Sequence, residues 1–361
     1  MKIAVFEGDG IGPEIVSASR TVLEQLDDLF SLGLDIRTHP IGLAALREMG
    51  TTFPAESIAA ARNADAIVLG PLSTSEYPAE SGGGINASAF LRRELDLFAN
   101  IRPCRAFPGI DAKCPAMDLV VVRENTEGFY ANRIMHAGSG EFAPEPDMAF
   151  ALRRITARCS SRIARRAFEL AGRRRQKVTA IHKANVLKLT DGLFLRECRT
   201  IAQSFPGIAY EELIVDAAAS KLVFDEGELD VVVTTNLFGD ILSNQAAALS
   251  GGLGLGASIN HGDRHAMAQA SHGSAPDIAG RGIANPASML LSIALLLRHL
   301  GESRFSGRHV DAAEALEAAV QGTFESRATM TADIGGTAST ADVAEAVSAG
   351  LCEPEQKRLL A

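Results

Sequence analysis

Short apolar runs at Ile3–Phe6, Ala66–Leu69, Leu119–Val122, Val178–Ile181 and Val231–Thr235 read as buried strands. Between them apolar residues recur at helical spacing, as in Ala149–Leu170 and Ala287–Leu300. This alternation predicts an α/β fold on a largely parallel or mixed sheet. The first strand runs into a Gly turn and a helix opened by Pro13, where a missing N–H costs nothing. Near the other end, Gly335-Gly336 supplies a turn and Ser339-Thr340-Ala341-Asp342 a capping box for a final helix.

A chain of 361 residues exceeds one ordinary core, and length alone suggests about two domains. No internal repeat or low-complexity linker separates them, so the two lobes are expected to interleave along the chain. The loop Gly8-Asp9-Gly10-Ile11-Gly12-Pro13 follows a strand and precedes a helix, as a dinucleotide fingerprint would. Its third glycine is replaced by Pro13, which argues for a tight turn rather than a Rossmann pyrophosphate cradle.

Composition is that of an ordinary globular protein, 47% hydrophobic and 22% charged. A net charge of −9 disfavours nucleic acid and anionic membranes as partners. The arginine-rich stretch from Arg153 to Lys177 carries apolar residues at helical spacing and reads as a solvated helix face, without interleaved aromatic stacking platforms. Five scattered cysteines form no C-x-x-C pair, so neither a disulfide framework nor a zinc site is indicated. The N-terminus lacks a signal h-region, and the longest apolar run, Met289 to Leu297, falls short of the roughly 18 residues of a membrane span. A reduced, soluble, cytoplasmic protein is expected.

Candidate chemistry gathers at element ends. Asp240 and Asn244 lie four apart after the strand Val231–Thr235, on one helical face, and Asp216 follows the apolar run Leu213-Ile214-Val215. Carboxylates at such edges call for a cation, and oxygen-only donors favour Mg2+ or Mn2+ over zinc. Arg92, Arg102 and Arg123 stand near predicted element ends, where guanidinium forks clamp planar carboxylates. Tyr130, one of three tyrosines, and Lys183 are candidates for proton transfer. Downstream, His272-Gly273-Ser274-Ala275-Pro276-Asp277 and then Asn285 offer small residues around one histidine, which would let backbone wrap a flat ligand while Asp277 accepts ribose hydroxyls. Taken singly, each has a blander reading: surface ion pair, core tyrosine, exposed lysine or Gly-rich surface loop.

Taken together they resemble the isocitrate/isopropylmalate dehydrogenase family. The resemblance is carried in order by Glu7-Gly8-Asp9-Gly10-Ile11-Gly12-Pro13-Glu14, Leu91-Arg92-Arg93-Glu94-Leu95-Asp96-Leu97, Val122-Arg123-Glu124-Asn125-Thr126-Glu127-Gly128, His182-Lys183-Ala184-Asn185-Val186, Asn236-Leu237-Phe238-Gly239-Asp240-Ile241-Leu242-Ser243 and the His272 loop. It implies a two-lobed, mixed-sheet α/β fold of the isopropylmalate dehydrogenase type, not Rossmann. Residues 1–97 with 250–361 would form the nucleotide-binding lobe, and 98–249 the central lobe with the dimer interface and metal-site residues. It implies oxidative decarboxylation of a 3-substituted malate, in a homodimer whose Lys183 and Asp216 enter the partner's active site. Arg92, Arg102 and Arg123 match the residues that hold substrate carboxylates; Asp216, Asp240 and Asn244 match the metal positions. Lys183 matches the residue that helps deprotonate the hydroxyl, and Tyr130 the one that protonates the enolate. His272, Gly273, Ser274, Ala275, Asp277 and Asn285 match the cofactor loop, and Asp277 stands where NADP-dependent members carry lysine, which favours NAD.

Two positions depart from the pattern: Asn244 replaces Asp, and Gln269 replaces the Glu that precedes the His-Gly motif. The residues before Arg92, which face the substrate's variable group in the family, include Asn86 and Ser88 rather than leucines. An isopropyl pocket would be poorly served by unpaired polar groups, so isocitrate or a close tricarboxylate is expected, with homoisocitrate, 3-isopropylmalate, tartrate and D-malate as alternatives. A regulatory subunit binding nucleotide or citrate is the non-catalytic alternative. Retention of Tyr130, Lys183, Asp216 and Asp240 argues against it.

Overall fold

The computed structural model describes residues 1–130, 140–224, 227–304 and 306–352. The chain divides into two compact units. The first comprises Met1–Asp96, Phe107–Ala112 and the chain from Gly251 onward, and the second Leu97–Ala106 and Lys113–Ser250.

The chain begins in the first unit with β1 (Lys2–Phe6), α1 (Gly12–Phe30), β2 (Asp35–Thr38), α2 (Gly42–Met49), α3 (Ala55–Asn63), β3 (Ala66–Leu69) and α4 (Ala87–Glu94). Strands β1 and β3 are apolar without alternation because both faces are covered, as expected of parallel strands inside a sheet. Helix α1 buries Ile15, Val16, Val22, Leu23, Leu26 and Phe30 along one face. The turn before it is held from two sides: Asp9 accepts the Leu43 and Ser73 N–H groups at 2.7 and 3.0 Å and the Tyr77 hydroxyl at 2.5 Å. Gly10 (φ +59°) lies so close to Ser274 that a Cβ there would sit 2.0 Å from the Ser274 carbonyl oxygen. This loop is a packed turn.

The second unit follows with β4 (Ala99–Arg105), β5 (Asp118–Glu124), β6 (Glu141–Glu145), β7 (Met148–Ala151), α5 (Ala157–Ala171), β8 (Lys177–His182), α6 (Thr190–Ala202), β9 (Ala209–Ile214), α7 (Val215–Val223), β10 (Val231–Thr234) and α8 (Asn236–Leu249). Strands run in the order β4-β5-β10-β8-β9, parallel except for the antiparallel β4–β5 pair. Leu119, Val121, Ile181, Val232 and Leu242 pack into one core that seats α8 on the sheet. Strands β6 and β7 form a separate hairpin in which every residue is exposed and Phe142 stacks on Phe150 at 5.2 Å.

Two expectations need correction in this unit. The helical pattern placed at Ala149 belongs to β7 at its start, and α5 begins at Ala157, where Thr156 Oγ1 caps the Cys159 N–H at 3.2 Å. Apolar spacing tolerates both readings across a short segment; the cap decides. The arginine-rich stretch is not uniformly solvated either. Arg153 precedes α5 with its side chain 6% exposed, Arg162 lies over the Phe98 ring at 4.3 Å, and Arg174 bridges Asp118 and the buried Asp230 at 2.9 and 2.7 Å. Arg158, Arg165 and Arg173 do face solvent.

Returning to the first unit, the chain forms β11 (Ile259–His261), β12 (Ala266–Gln269), α9 (Ala287–Arg304), α10 (Gly307–Gly322) and α11 (Thr340–Gly350). Its strands run β2-β1-β3-β12-β11, with only β11–β12 antiparallel. Helix α9 is buried almost all round, which accounts for the apolar run Met289–Leu297 without a membrane. No helix among the described residues is long and apolar enough to cross one. Residues Phe107–Ala112 pack here as well, with Phe107 edge-on to Phe324 at 5.1 Å. The Ser339–Asp342 capping box opens α11 as its sequence predicts.

Candidate active site

In the second unit the antiparallel β4–β5 pair brings Arg102 and Arg123 up beside the first turns of α8. Arg123 is the largest fully buried side chain among the described residues. Its Nε and Nη2 donate to Asn236 Oδ1 at 3.0 and 2.7 Å, and its Nη1 to Asp240 Oδ1 at 2.6 Å. Gly239 makes room for it: a Cβ there would meet Arg123 Cγ at 2.6 Å. Arg102 is aimed by Asn100 Oδ1 at 2.7 Å and donates through Nη1 to Ser243 Oγ at 2.8 Å and Asp240 Oδ1 at 3.2 Å. Burial pulls the Arg102 pKa down from the usual guanidinium range, and the Asp240 charge opposes this.

The other Asp240 oxygen accepts the Tyr130 hydroxyl at 2.9 Å, and the Arg123 guanidinium lies 5.3 Å from the Tyr130 ring centre. Burial, then the charge of Asp240, raise the phenol above its usual pKa, so Tyr130 keeps its proton at neutral pH. Arg102, Arg123, Asp240 and Tyr130 thus form one connected cluster. Asn244 lies one turn beyond Asp240 on α8, and its Oδ1 is buried with no hydrogen-bond partner.

Lys183 and Asp216 form a second pair in this unit, 2.6 Å apart. Lys183 follows β8, and Asp216 sits in the first turn of α7 rather than at a strand end, since Val215 already begins the helix. The hydrogen bond from Lys183 holds the Asp216 carboxyl below its ordinary range.

In the first unit, Ser88 and Arg92 lie four apart on α4 and both donate to Gln269 Oε1, each at 3.1 Å. Asn86, by contrast, is exposed and spends its side-chain oxygen capping α4 on the Ala89 N–H at 3.0 Å. The loop after β12 bears His272, Gly273, Ser274, Ala275 and Asp277. Ser274 touches Ser73 Oγ at 2.9 Å, and its carbonyl accepts the Ile11 N–H at 2.8 Å. Ala275 adopts the left-handed region at φ +38°. His272 Nδ1 meets the Gly273 carbonyl at 3.0 Å, and desolvation holds its pKa below the usual value, leaving a neutral ring. Asn285 is buried and donates to Asp333 Oδ2 at 3.1 Å, whereas Asp277 is exposed.

Sequence reasoning missed Asn100, Asn236 and Ser243, which aim the two arginines. Positions 236, 240, 243 and 244 share one helical face, so the same spacing that singled out Asp240 and Asn244 pointed to Asn236 and Ser243, whereas Asn100 lies on β4. Among the described residues no three His, Cys, Asp or Glu side chains gather. The Asp240 carboxylate and the unpartnered Asn244 carbonyl oxygen are nevertheless hard oxygen donors of the kind a divalent cation takes. They fit such an ion once a further carboxylate is supplied.

The profile of isocitrate/isopropylmalate dehydrogenases matches residues 2–347. The chain belongs to this family. It is an oxidative decarboxylating dehydrogenase, with the mixed-sheet α/β fold of its relatives rather than a Rossmann fold. The 3-isopropylmalate dehydrogenase of Archaeoglobus fulgidus is 43% identical over 348 residues, covering 96% of this chain and 98% of that protein. The isocitrate/homoisocitrate dehydrogenase of Thermus thermophilus is 42% identical over 349 residues, covering 96% and 97%. Among solved structures, isocitrate dehydrogenase from Methylococcus capsulatus superposes with a TM-score of 0.87 at 40% identity, covering 98% of this chain and 99% of that one.

Proposed function

We propose that this dehydrogenase oxidises and decarboxylates, with NAD and Mg2+ or Mn2+, a 3-substituted malate whose substituent is polar and anionic, isocitrate or a close tricarboxylate. The observation that carries the substrate reading is the hydrogen-bonded trio of Ser88, Gln269 and Arg92. A polar, charged lining of this kind gives an anionic substituent hydrogen-bond partners and offers an isopropyl group no apolar surface. The names of relatives such as the Archaeoglobus fulgidus protein favour 3-isopropylmalate as the second reading.

Arg92, Arg102 and Arg123 take the substrate carboxylates, as charge-assisted, forked donors do. Asp216, Asp240 and Asn244 hold the cation. His272 offers a neutral ring face for the adenine and Asp277 an exposed carboxylate for the ribose hydroxyls, which would repel a 2′-phosphate; Asn285 and the small residues Gly273, Ser274 and Ala275 complete this loop. The chemistry these two groups supply when bound is a hydride acceptor and a Lewis acid. Lys183, whose ammonium is paired with Asp216, helps deprotonate the substrate hydroxyl after first releasing its own proton to solvent. Tyr130 carries the proton that the enolate takes after CO2 leaves, and its raised pKa keeps that proton in place. Asn86, occupied as a helix cap, shapes α4 and contributes at most its amide N–H to the substituent.

The cation set needs Asp216 from a second copy, and the proposal therefore includes a homodimer. Supporting it, Phe142, Met148 and Phe150 on the hairpin and Val186 and Leu189 beside Lys183 are large apolar side chains left between 44% and 88% exposed on one chain. Residues 1–97 with 250–361 then act as the nucleotide-binding lobe, residues 98–249 supply the interface, and the dimer works in the cytoplasm.

One panel tests the reading: NADH or NADPH formation from isocitrate, homoisocitrate, 3-isopropylmalate, tartrate and D-malate with Mg2+ or Mn2+. The highest kcat/KM is expected with NAD and a tricarboxylate. A preference for 3-isopropylmalate would replace the substrate assignment, and binding of NAD and Mn2+ without turnover of any acid would favour a regulatory subunit.

A further inference from the structure

Arg153 sits between β7 and α5, in the stretch that composition marks as a solvated face, yet its side chain is 6% exposed and its partner Asp191 is wholly buried. Its Nη1 donates to Asp191 Oδ1 and, at 2.9 Å, to Thr190 Oγ1; its Nη2 donates to Thr235 Oγ1 at 2.9 Å. The other oxygen of Asp191 accepts the backbone N–H of Lys183 at 2.6 Å. The guanidinium lies 5.9 Å from the ring centre of Phe129 and 5.4 Å from that of Phe238. Phe129 is bonded to Tyr130. Thr235 is the N-cap of α8, and Phe238 stands two residues before Asp240.

We propose that Arg153 is a positioning residue that, through Asp191, Thr235, Phe129 and Phe238, fixes the segments bearing Lys183, Tyr130 and Asp240 relative to one another. Stability alone gives little reason for a buried charge pair, because well-packed apolar residues of similar volume often serve as well or better. A guanidinium adds what they lack: donors in fixed directions and a flat cationic face, here turned on three segments at once. Positioning at this level matters to turnover because small misplacements of reacting groups are costly. The inference rests on the proposed roles of Lys183, Tyr130 and Asp240. In the proposed dimer Lys183 serves one active site and the other two residues the second, so the same guanidinium ties the sites together.

The test uses the full-length protein with Arg153→Lys, Arg153→Met and the double variant Arg153→Met/Asp191→Leu, which leaves no lone buried charge. Expected for the double variant is a fall in kcat of about 10- to 100-fold, with KM for substrate and NAD changed less than about threefold. Arg153→Lys is expected not to restore kcat, since an ammonium lacks the fork. Amide hydrogen exchange, which needs no turnover, is read in Arg153→Lys, where Asp191 remains to accept the Lys183 N–H, and is expected to quicken at Lys183 and around residues 129–130 and 235–240 while the core strands stay protected. A double variant that folds and keeps kcat within twofold of wild type would overturn the positioning role, as would unchanged exchange at Lys183. If the wild-type enzyme turns over none of the five acids, the functional reading fails by itself, and exchange still decides whether Arg153 orders these segments.

Discussion

Gln269 Oε1 lies 3.1 Å from Arg92 Nη2, a neutral amide oxygen accepting from a full positive charge. A carboxylate at the same place would pair with that charge and compete with an anionic substrate for it. Gln269→Glu is therefore expected to raise KM for a tricarboxylate about tenfold, the cost of roughly 1.4 kcal/mol, and to change KM for 3-isopropylmalate much less. Steady-state kinetics on both acids check this. An equal rise for both would mean that Gln269 does not act through the substituent.

Asn244 leaves its Oδ1 buried and unpartnered while Asp240 is already engaged by two guanidinium groups and a phenol. An amide oxygen is a weaker donor to a hard cation than a carboxylate because it brings no charge. Asn244→Asp is expected to tighten Mn2+ binding about tenfold, or roughly 1.4 kcal/mol, read by isothermal titration calorimetry without substrate. Unchanged affinity would remove Asn244 from the cation set.

Much of this was visible in the sequence, for uneven physical reasons. Alternating apolar runs gave β1, β3, β5, β8 and β10, since strands buried on both faces need no partner information to be recognised. The hairpin β6–β7 was missed because it has no buried face, and periodicity reports burial. At the site, residue types near element ends marked Arg102, Arg123 and Asp240. Their aiming partners Asn100, Asn236 and Ser243 stayed hidden, as did the burial of Arg153. Which donor meets which acceptor is settled by sheet register and helix docking over separations such as the 113 residues between Arg123 and Asn236.

Glu124 and Glu127 close a buried turn after β5. Glu124 accepts the N–H groups of Thr126 and Glu127 at 3.0 and 2.9 Å, and Glu127 accepts the N–H and hydroxyl of Thr156, each at 2.9 Å. Burial, as the largest cause, raises both carboxyl groups above their ordinary pKa. A group whose pKa is raised on folding contributes most below its unfolded value, and that contribution is lost as pH rises through the folded value. The stability difference between wild type and Glu124→Gln is therefore expected to shift against wild type as pH climbs from below 4.5, the ordinary glutamate value, towards neutrality. Urea unfolding of both proteins across that range measures it, and a gap independent of pH would contradict the assignment.

Asp240 is the counter-charge for two arginines at once, with Arg102 and Arg123 only 7% and 2% exposed in their side chains. Removing the charge while keeping the shape, as in Asp240→Asn, takes from both buried guanidinium groups the carboxylate they share. Breaking a fully buried pair costs about 3–5 kcal/mol. Asp240 is 26% exposed, which screens the loss, so about 2 kcal/mol is the expected drop in unfolding free energy. The same two arginines are the proposed carboxylate clamps, and a bound dicarboxylate would supply the missing charge. Asp240→Asn should therefore be stabilised more by millimolar malate than wild type is, through linkage of ligand to the folded state, even as turnover falls by at least about 100-fold. Thermal melts with and without malate separate these effects. Equal stabilisation of the two proteins would show that Arg102 and Arg123 are structural partners of Asp240 rather than substrate clamps.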